Sequence, residues 1–394
     1  MKDLKDLDMH LKTSSLLVSF LFINALSAQN LILSENRQDI LDYSKEKIKE
    51  DSNKLSKDWI NSITYSYVQN DGDTINRSNK SLISINQPIF KSGGIYYAIK
   101  YASSLKDSNN ILVNLEEKEL IKNATNLLFN IQRKNLLIQK QNLILKSNLI
   151  EIKQKQESVL NGLLDISFLN TAILENNKQK ENLLDLEFQN IKLSNNFNNL
   201  TAKRPHEFTL PLLKLVNKKD YLKNNIYIKQ SKAATKTKNY LKGIVQSKYL
   251  PTVNANYAYT NNHTTNTESN NYGFSIVVPL NFGVFNDISS SKIDYLKSKT
   301  QEKITKRVEK NFLSTAYAKL NMIDKKIELT KDNIESFKIL LSQMEELQKA
   351  GLKTKDDVVI LANSKDAETL DTKIFSIDRQ IELLELYSRV DNAI

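Results

Sequence analysis

Few residues in this sequence could carry chemistry, and their spacing argues against most of it. Past an apolar N-terminal run only two histidines remain, His206 and His263, and neither has a His, Cys or acidic neighbour at metal-ligand spacing. Cysteine is absent, which removes a disulfide framework, a thiol nucleophile, a Cys-ligated metal and a lipid carried on an N-terminal Cys. Asp71-Gly72-Asp73 hints at calcium, but the other oxygens of an EF-hand loop are missing, so a hairpin turn accounts for it better. No phosphate loop, nucleophile elbow or dinucleotide fingerprint occurs. The expectation is a non-enzyme with no cofactor and no metal. One acidic position stands out: in GLKTKDDVVILA, Asp357 precedes an apolar run, where a helix N-terminus favours a carboxylate as its cap.

The elements that position these residues must be long. The 394 residues include only eight Gly and five Pro, too few for the turns of two or three ordinary domains. From Ile95 to Asn161 the chain runs 67 residues without either, a helix of about 100 Å at about 1.5 Å per residue. Ala124, Ile131, Ile138, Leu145 and Ile152 recur every seventh residue, and Phe129, Leu136, Leu143 and Ile150 run in parallel. That is coiled-coil spacing. Leu320, Ile323, Ile327, Thr330, Ile334, Phe337, Leu341 and Met344 alternate by three and four, and Leu370, Ile374, Ile377, Ile381 and Leu384 resume the pattern after Gly351. Each of Gly162 and Gly351 therefore marks the tip of an antiparallel helical hairpin.

The formal charge is +11, but the lysines are spread along the chain beside Glu and Asp, as on a solvated helical surface, and no compact basic patch suggests nucleic acid. Ser14 to Ala28 is apolar and too short to span a bilayer, so residues 1–28 read as a secretory signal cleaved after Ala28. Starting at Met9 would give that signal the basic n-region it otherwise lacks. No apolar run after residue 28 reaches transmembrane length, so membrane insertion would require strands.

The chain reads as two copies of one pattern. Pro88-Ile89-Phe90 with Gly93-Gly94 is echoed by Pro279-Leu280-Asn281-Phe282-Gly283, Gly162 by Gly351, and Trp59 by Leu250-Pro251, all at an offset of about 190 residues. The first copy, 29–205, should hold a short helix, strands 60–69 and 80–88, and a hairpin 95–161/163–203. The second, 206–394, should hold a helix 215–248, strands 252–261 and 271–280, and a hairpin 286–350/352–394. The polar stretches QNDGDTINRSNK and TNNHTTNTESNN would be the hairpin loops between strands.

Four amphipathic strands cannot close a sheet, and an open edge in a bilayer leaves backbone groups unpaired. Three copies would supply twelve strands. Ile63, Tyr65, Tyr67, Tyr257, Tyr259, Tyr272, Phe274 and Ile276 would then face lipid, and Ser62, Thr64, Ser66, Asn254 and Asn256 a wet lumen. A soluble β-layer with coiled-coil arms would share the alternation. A soluble periplasmic coiled-coil adaptor would share the heptads but needs a Gly-rich lipoyl-like or barrel domain that is not evident here, and a fibrous structural protein would not need four alternating strands repeated at a fixed offset.

The tandem strand pair, Pro88-x-x-x-x-Gly93 turn, very long helix, Gly tip and returning helix, with Leu250-Pro251 opening the second copy, resembles the TolC-like outer membrane efflux protein family over roughly residues 30–394. The resemblance implies a mainly α fold with a small β part: a homotrimer with a twelve-stranded β-barrel in the outer membrane, continued by an α-barrel into the periplasm. It implies a passive duct for efflux or type I secretion, working with a periplasmic adaptor (membrane fusion) protein, an inner-membrane pump and outer-membrane lipid. It also implies a gate at the second tip. Asp357 matches the first acidic residue of the family's constriction pattern, Ile360 replaces the second, and Lys353, Lys355 and Asp356 share the turn. Gly162, Leu163, Leu164, Asp165, Gly351 and Leu352 would meet the adaptor. The chain is shorter than typical members, is basic where many are acidic, and has an abbreviated helix before Trp59; the last two leave the fold intact but put cation selectivity in question.

Overall fold

The computed structural model describes residues 32–72 and 75–391; the expected signal, its cleavage after Ala28 and the alternative start at Met9 fall outside the described residues. In order, helix α1 (Glu35–Lys57) leads to strands β1 (Thr64–Gly72) and β2 (Ile75–Phe90), then α2 (Gly94–Leu160) and α3 (Ile166–Asn198). A short 3-10 turn (Pro205–Glu207) and α4 (Lys218–Asn224) precede α5 (Ile226–Ser247), β3 (Thr252–Asn262), β4 (Thr267–Val277), α6 (Val284–Lys349) and α7 (Lys355–Tyr387). α2 and α6 have 67 and 66 residues, and α3 and α7 have 33 each. The order helix, strand, strand, long helix, half-length helix thus occurs twice.

The chain divides into two compact units. One comprises Ile40–Leu115 and Ile226–Glu309 and contains the sheet, a single antiparallel layer in the order β1-β2-β3-β4. The strands reach further into polar sequence than their side chains suggest. Residues 70–72, 75–79, 262 and 267–270, lying beyond the expected strands, are strand, ladder-paired apart from an irregularity between Asn70 and Gly72, because antiparallel pairing satisfies backbone groups whatever the side chains are. The β3–β4 turn is short, with Asn266 left-handed at φ 52°, a conformation Asn tolerates. At the other end, residues 60–63 and 278–280 fall outside the strands. β2 ends in a bulge between Pro88 and Phe90, where Pro lacks the N–H a ladder needs. Ser92 at φ 44° and Gly93 at φ 84° then turn the chain into α2.

The other unit comprises the described residues up to Asp39, Glu116–Asn225, and those from Lys310 onward. Both heptad stripes of α2 are buried or half-buried, as are those of α6 and α7. Phe129, Leu313, Ala316, Leu320, Leu383, Leu384 and Leu386 form the main core with Tyr221, Leu213 and Val390 from the connecting segments. The expected helix 215–248 is in fact two. Asn225 is buried and extended between α4 and α5 and bridges to Val390, while the Asp391 N–H donates to the Asn224 carbonyl at 2.8 Å. The backbone there bonds to the C-terminal segment instead of continuing the helix. α7 stops at Tyr387, short of the expected end, with Ser388 as its C-cap. Leu386 is fully buried in this core, so Leu386→Ala should cost about 2–5 kcal/mol and lower the helical melting midpoint measured by circular dichroism in detergent.

Candidate functional site: the one-sided sheet and the hairpin tips

Register decides which strand residues share a face, because directly opposed residues in an antiparallel ladder point to the same side. Tyr65 opposes Ile83, Ile83 opposes Tyr259, Ile85 opposes Tyr257, and Tyr257 opposes Tyr272. Ala255 opposes Phe274, and Val253 opposes Ile276. One face is therefore aromatic and aliphatic across all four strands. It is open: Tyr272 is 85% exposed and Phe274 77%. Ile63 has the same parity but lies just before β1. The opposite face carries Thr64, Ser66, Ser84, Asn86, Asn254, Asn256 and Ser275, with the Asn256 amide donating to Ser275 Oγ at 3.2 Å. Ile83 and Ile85 were missed from sequence because β2 lacks clean alternation; Val253 shares the alternation of β3 and joins the same face. β1 and β4 each pair on one side only among the described residues.

In the other unit both hairpin tips use the same backbone device. Leu163 N–H donates to the Ser158 carbonyl at 2.8 Å and Gly162 N–H to Val159 at 3.0 Å; Leu352 donates to Leu347 at 2.9 Å and Gly351 to Gln348 at 3.0 Å. These are Schellman closures, and the glycines sit at φ 71° and 76° where a side chain would be strained. The residue after each glycine is a bare leucine, Leu163 80% and Leu352 72% exposed, while Leu164 is half-buried.

The acidic residues of the tips cap the returning helices. Asp165 is the N-cap of α3, accepting from the Ser167 N–H at 2.8 Å. Hydrogen bonding from Ser167 holds its carboxyl below the usual range. At the second tip the expected cap is corrected: Thr354 is the N-cap of α7, and Asp357 is its partner one turn in. Asp357 N–H donates to Thr354 Oγ1 at 3.1 Å, and its carboxylate accepts from Thr354 N–H at 3.0 Å. The Thr-x-x-Asp spacing is the signal that identifies this box in the sequence. The backbone bond from Thr354 is the main reason the Asp357 carboxyl titrates low, helped by the Thr354 and Gln154 side chains and the Lys353 charge. Asp356 is half-buried; Lys353 and Lys355 are exposed.

Gln154 belongs to a ladder the sequence did not reveal. Along antiparallel α2 and α7, Arg133 Nε meets Asp378 at 2.7 Å, Lys140 Nζ meets Asp371 at 2.6 Å, Asn363 donates to Ser147 at 3.1 Å, and Gln154 Nε2 meets Asp357 Oδ1 at 3.4 Å. On α2 the rungs recur every seventh residue, so two ion pairs give way to neutral and then longer contacts toward the tip.

The sequence matches no protein-family model and no curated protein. The fold, by contrast, has clear counterparts. The outer membrane protein VceC of Vibrio cholerae superposes with a TM-score of 0.73 at 14% identity, over 92% of this chain and 95% of that one. The TolC-like outer-membrane channel fold is the fold of this chain. CusC, whose structures concern transmembrane channel formation, gives 0.71 at 14% identity, with 93% and 91% covered. The Campylobacter jejuni CmeC outer membrane channel gives 0.70 at 12%, with 94% and 86% covered. Against that TolC-like fold, the mainly helical architecture with one four-stranded antiparallel sheet agrees with the sequence expectation. CmeC is described as a channel, CusC through its channel formation, and VceC as an outer membrane protein.

Proposed function

We propose that this protein is the outer-membrane channel of a tripartite efflux or type I secretion system, a passive homotrimeric duct exported by its N-terminal signal. The observation that carries the reading is the one-sided sheet. An exposed aromatic face, a Ser/Thr/Asn face behind it and two edges lacking partners are what a third of a membrane barrel requires: lipid outside, water inside, and closure by neighbouring copies. Ile63, Tyr65, Tyr67, Tyr257, Tyr259, Tyr272, Phe274 and Ile276 face lipid in this reading, and twelve strands close the barrel. The twofold recurrence of element order supports an internal tandem duplication, with each copy contributing two strands and one hairpin.

The hairpins form the helical tunnel in the periplasm. Exposed Leu163 and Leu352, with Gly162, Leu164, Asp165 and Gly351 beside them, supply apolar contacts for a periplasmic adaptor, and the energy comes from an inner-membrane pump. Asp357, with Asp356, Lys353 and Lys355, forms the gate. Three Asp357 carboxylates around one axis focus a negative field on a narrow entrance. The chain performs no catalysis of its own. The test is fractionation followed by electrophoresis without boiling. Recovery with outer membranes as a trimer that dissociates on heating is expected; a soluble monomer in the periplasmic fraction would overturn the reading.

A further inference from the structure

We infer a site for one phospholipid of the periplasmic leaflet, built where the strands give way to helices. A cleft of about 480 Å³ opens there between α1, α2 and α5. Its walls are apolar, with Leu55, Trp59, Ile95, Leu241, Ile244 and Val245, and its charged lining is Lys91, Lys248 and the single carboxylate of Asp58. An apolar slot of this size with a few convergent polar groups is the ordinary form of a small-molecule site.

The local framework fixes this cleft against the sheet. Gln87 near the end of β2 donates to the Trp59 carbonyl at 3.2 Å and accepts from the Asn61 N–H at 2.9 Å, so Trp59 is held at the strand end. Ser92 Oγ donates to the Pro251 carbonyl at 2.6 Å, tying the exit of β2 to the entry of β3. α2 and α5 approach closely: a Cβ on Gly243 would lie 2.5 Å from the Tyr97 ring, and one on Gly94 would lie 2.7 Å from Ser247 Oγ.

Charge decides the occupant. α5 carries five lysines and no acidic residue, and Lys248 follows directly. An adjoining groove of about 310 Å³ shares Leu241, Val245 and Lys248, but its acids are engaged: Asp294 pairs with Lys238 at 3.5 Å, and Asp287 accepts from the Tyr249 hydroxyl. Lys242 lies over the Tyr295 ring at 4.6 Å. Lys248 Nζ lies 5.7 Å from the centre of the Tyr249 ring, a contact that uses none of its N–H donors, so Lys91 and Lys248 both offer donors to a mainly apolar slot, the complement of a phosphate joined to hydrocarbon. The rim around this end of the sheet is apolar too, with Ile60, Ile89, Phe90, Leu250, Leu280 and Phe282 exposed. The inference rests on the proposal that the sheet spans the membrane, which puts this level at the headgroups, where Trp and Lys are favoured.

The test is native mass spectrometry of the full chain, delipidated in detergent and titrated with a diacyl phosphatidylglycerol or with the matching diacylglycerol. Wild type should take up one phosphatidylglycerol per chain saturably. Lys91→Gln with Lys248→Gln should weaken it by about tenfold or more, two charge-assisted contacts being lost, with little change for diacylglycerol. Ala98→Phe, which pushes a ring into the cleft, should remove both. Absence of saturable binding, or equal binding by wild type and both variants, overturns the site. A chain that forms trimers in the outer membrane but fails this titration loses the lipid site alone; failure of the duct shows in fractionation, which the titration in detergent does not touch.

Discussion

Replacing both Tyr272 and Phe274 with Arg should abolish recovery of the trimer from outer membranes, whereas replacing Asn271 and Ser275 with Arg should not. The two pairs occupy the same segment of β4 and differ by one residue in phase, so backbone propensity and chain position are matched. Tyr272 and Phe274 lie on the face shared with Tyr257, Ala255 and Ile276, and Asn271 and Ser275 on the face shared with Ala258 and Asn254. In the proposed barrel an Arg on the lipid side costs about 2–4 kcal/mol at the bilayer midplane and less toward the interface, and every copy would bear it twice. On the other face the guanidinium meets water. Quantification of heat-dissociable trimer in sucrose-gradient fractions reads the difference, and equal losses in the two variants would sink the lipid-facing assignment.

The second large effect is expected at the tip. If Asp357 lines the entrance of the proposed trimeric duct, Asp357→Ala should raise single-channel conductance in planar bilayers and reduce preference for cations, because it removes one carboxylate per copy there. The same change breaks a capping box, so a control is needed. Thr354→Ala removes the cap hydroxyl at a cost of about 1 kcal/mol yet keeps the carboxylate, and it should leave ion preference as in the wild type. If both variants shift selectivity alike, Asp357 acts only as a helix cap. Acid gives an independent reading. The Asp357 carboxyl is held low in the folded chain, so its contribution to the tip is complete above its unfolded value and fades as pH falls through the lowered one. Conductance at the most acid end of the range should therefore approach that of Asp357→Ala, and not at mildly acid pH.

Period was the part of this fold most legible in the sequence. Alternation by two placed Tyr65, Tyr67, Tyr257 and Tyr259 on one face, and recurrence by seven placed Ala124, Ile131, Phe129 and Leu136 in a buried seam, because each period follows directly from backbone geometry. Scarcity of Gly made the hairpin glycines conspicuous, and both hold the left-handed turn their position needs. Strand length was not legible: Asn70, Ser78, Asn262 and Thr267 look like loop, yet their backbones pair. Nor were partners distant in sequence. Arg133 and Asp378 are 245 residues apart, and nothing local to either announces the other. The split after α4 depended likewise on a C-terminal segment that reaches back to Asn225.

The polar ladder between α2 and α7 also acts as a ruler. Its α2 rungs, Arg133, Lys140, Ser147 and Gln154, stand one heptad apart, and their partners run the opposite way along α7 at nearly the same interval. Lengthening α2 by one or two residues would rotate every rung beyond the insertion away from its partner and would tear the apolar seam at the same point. α3 and α6 are bound by the same condition, since Gln141 reaches the Gln179 carbonyl at 3.0 Å and Arg379 reaches Asp324 at 2.7 Å. Within the laddered stretch, whole heptads added to paired helices together are therefore the length changes that keep both the rungs and the seam in register.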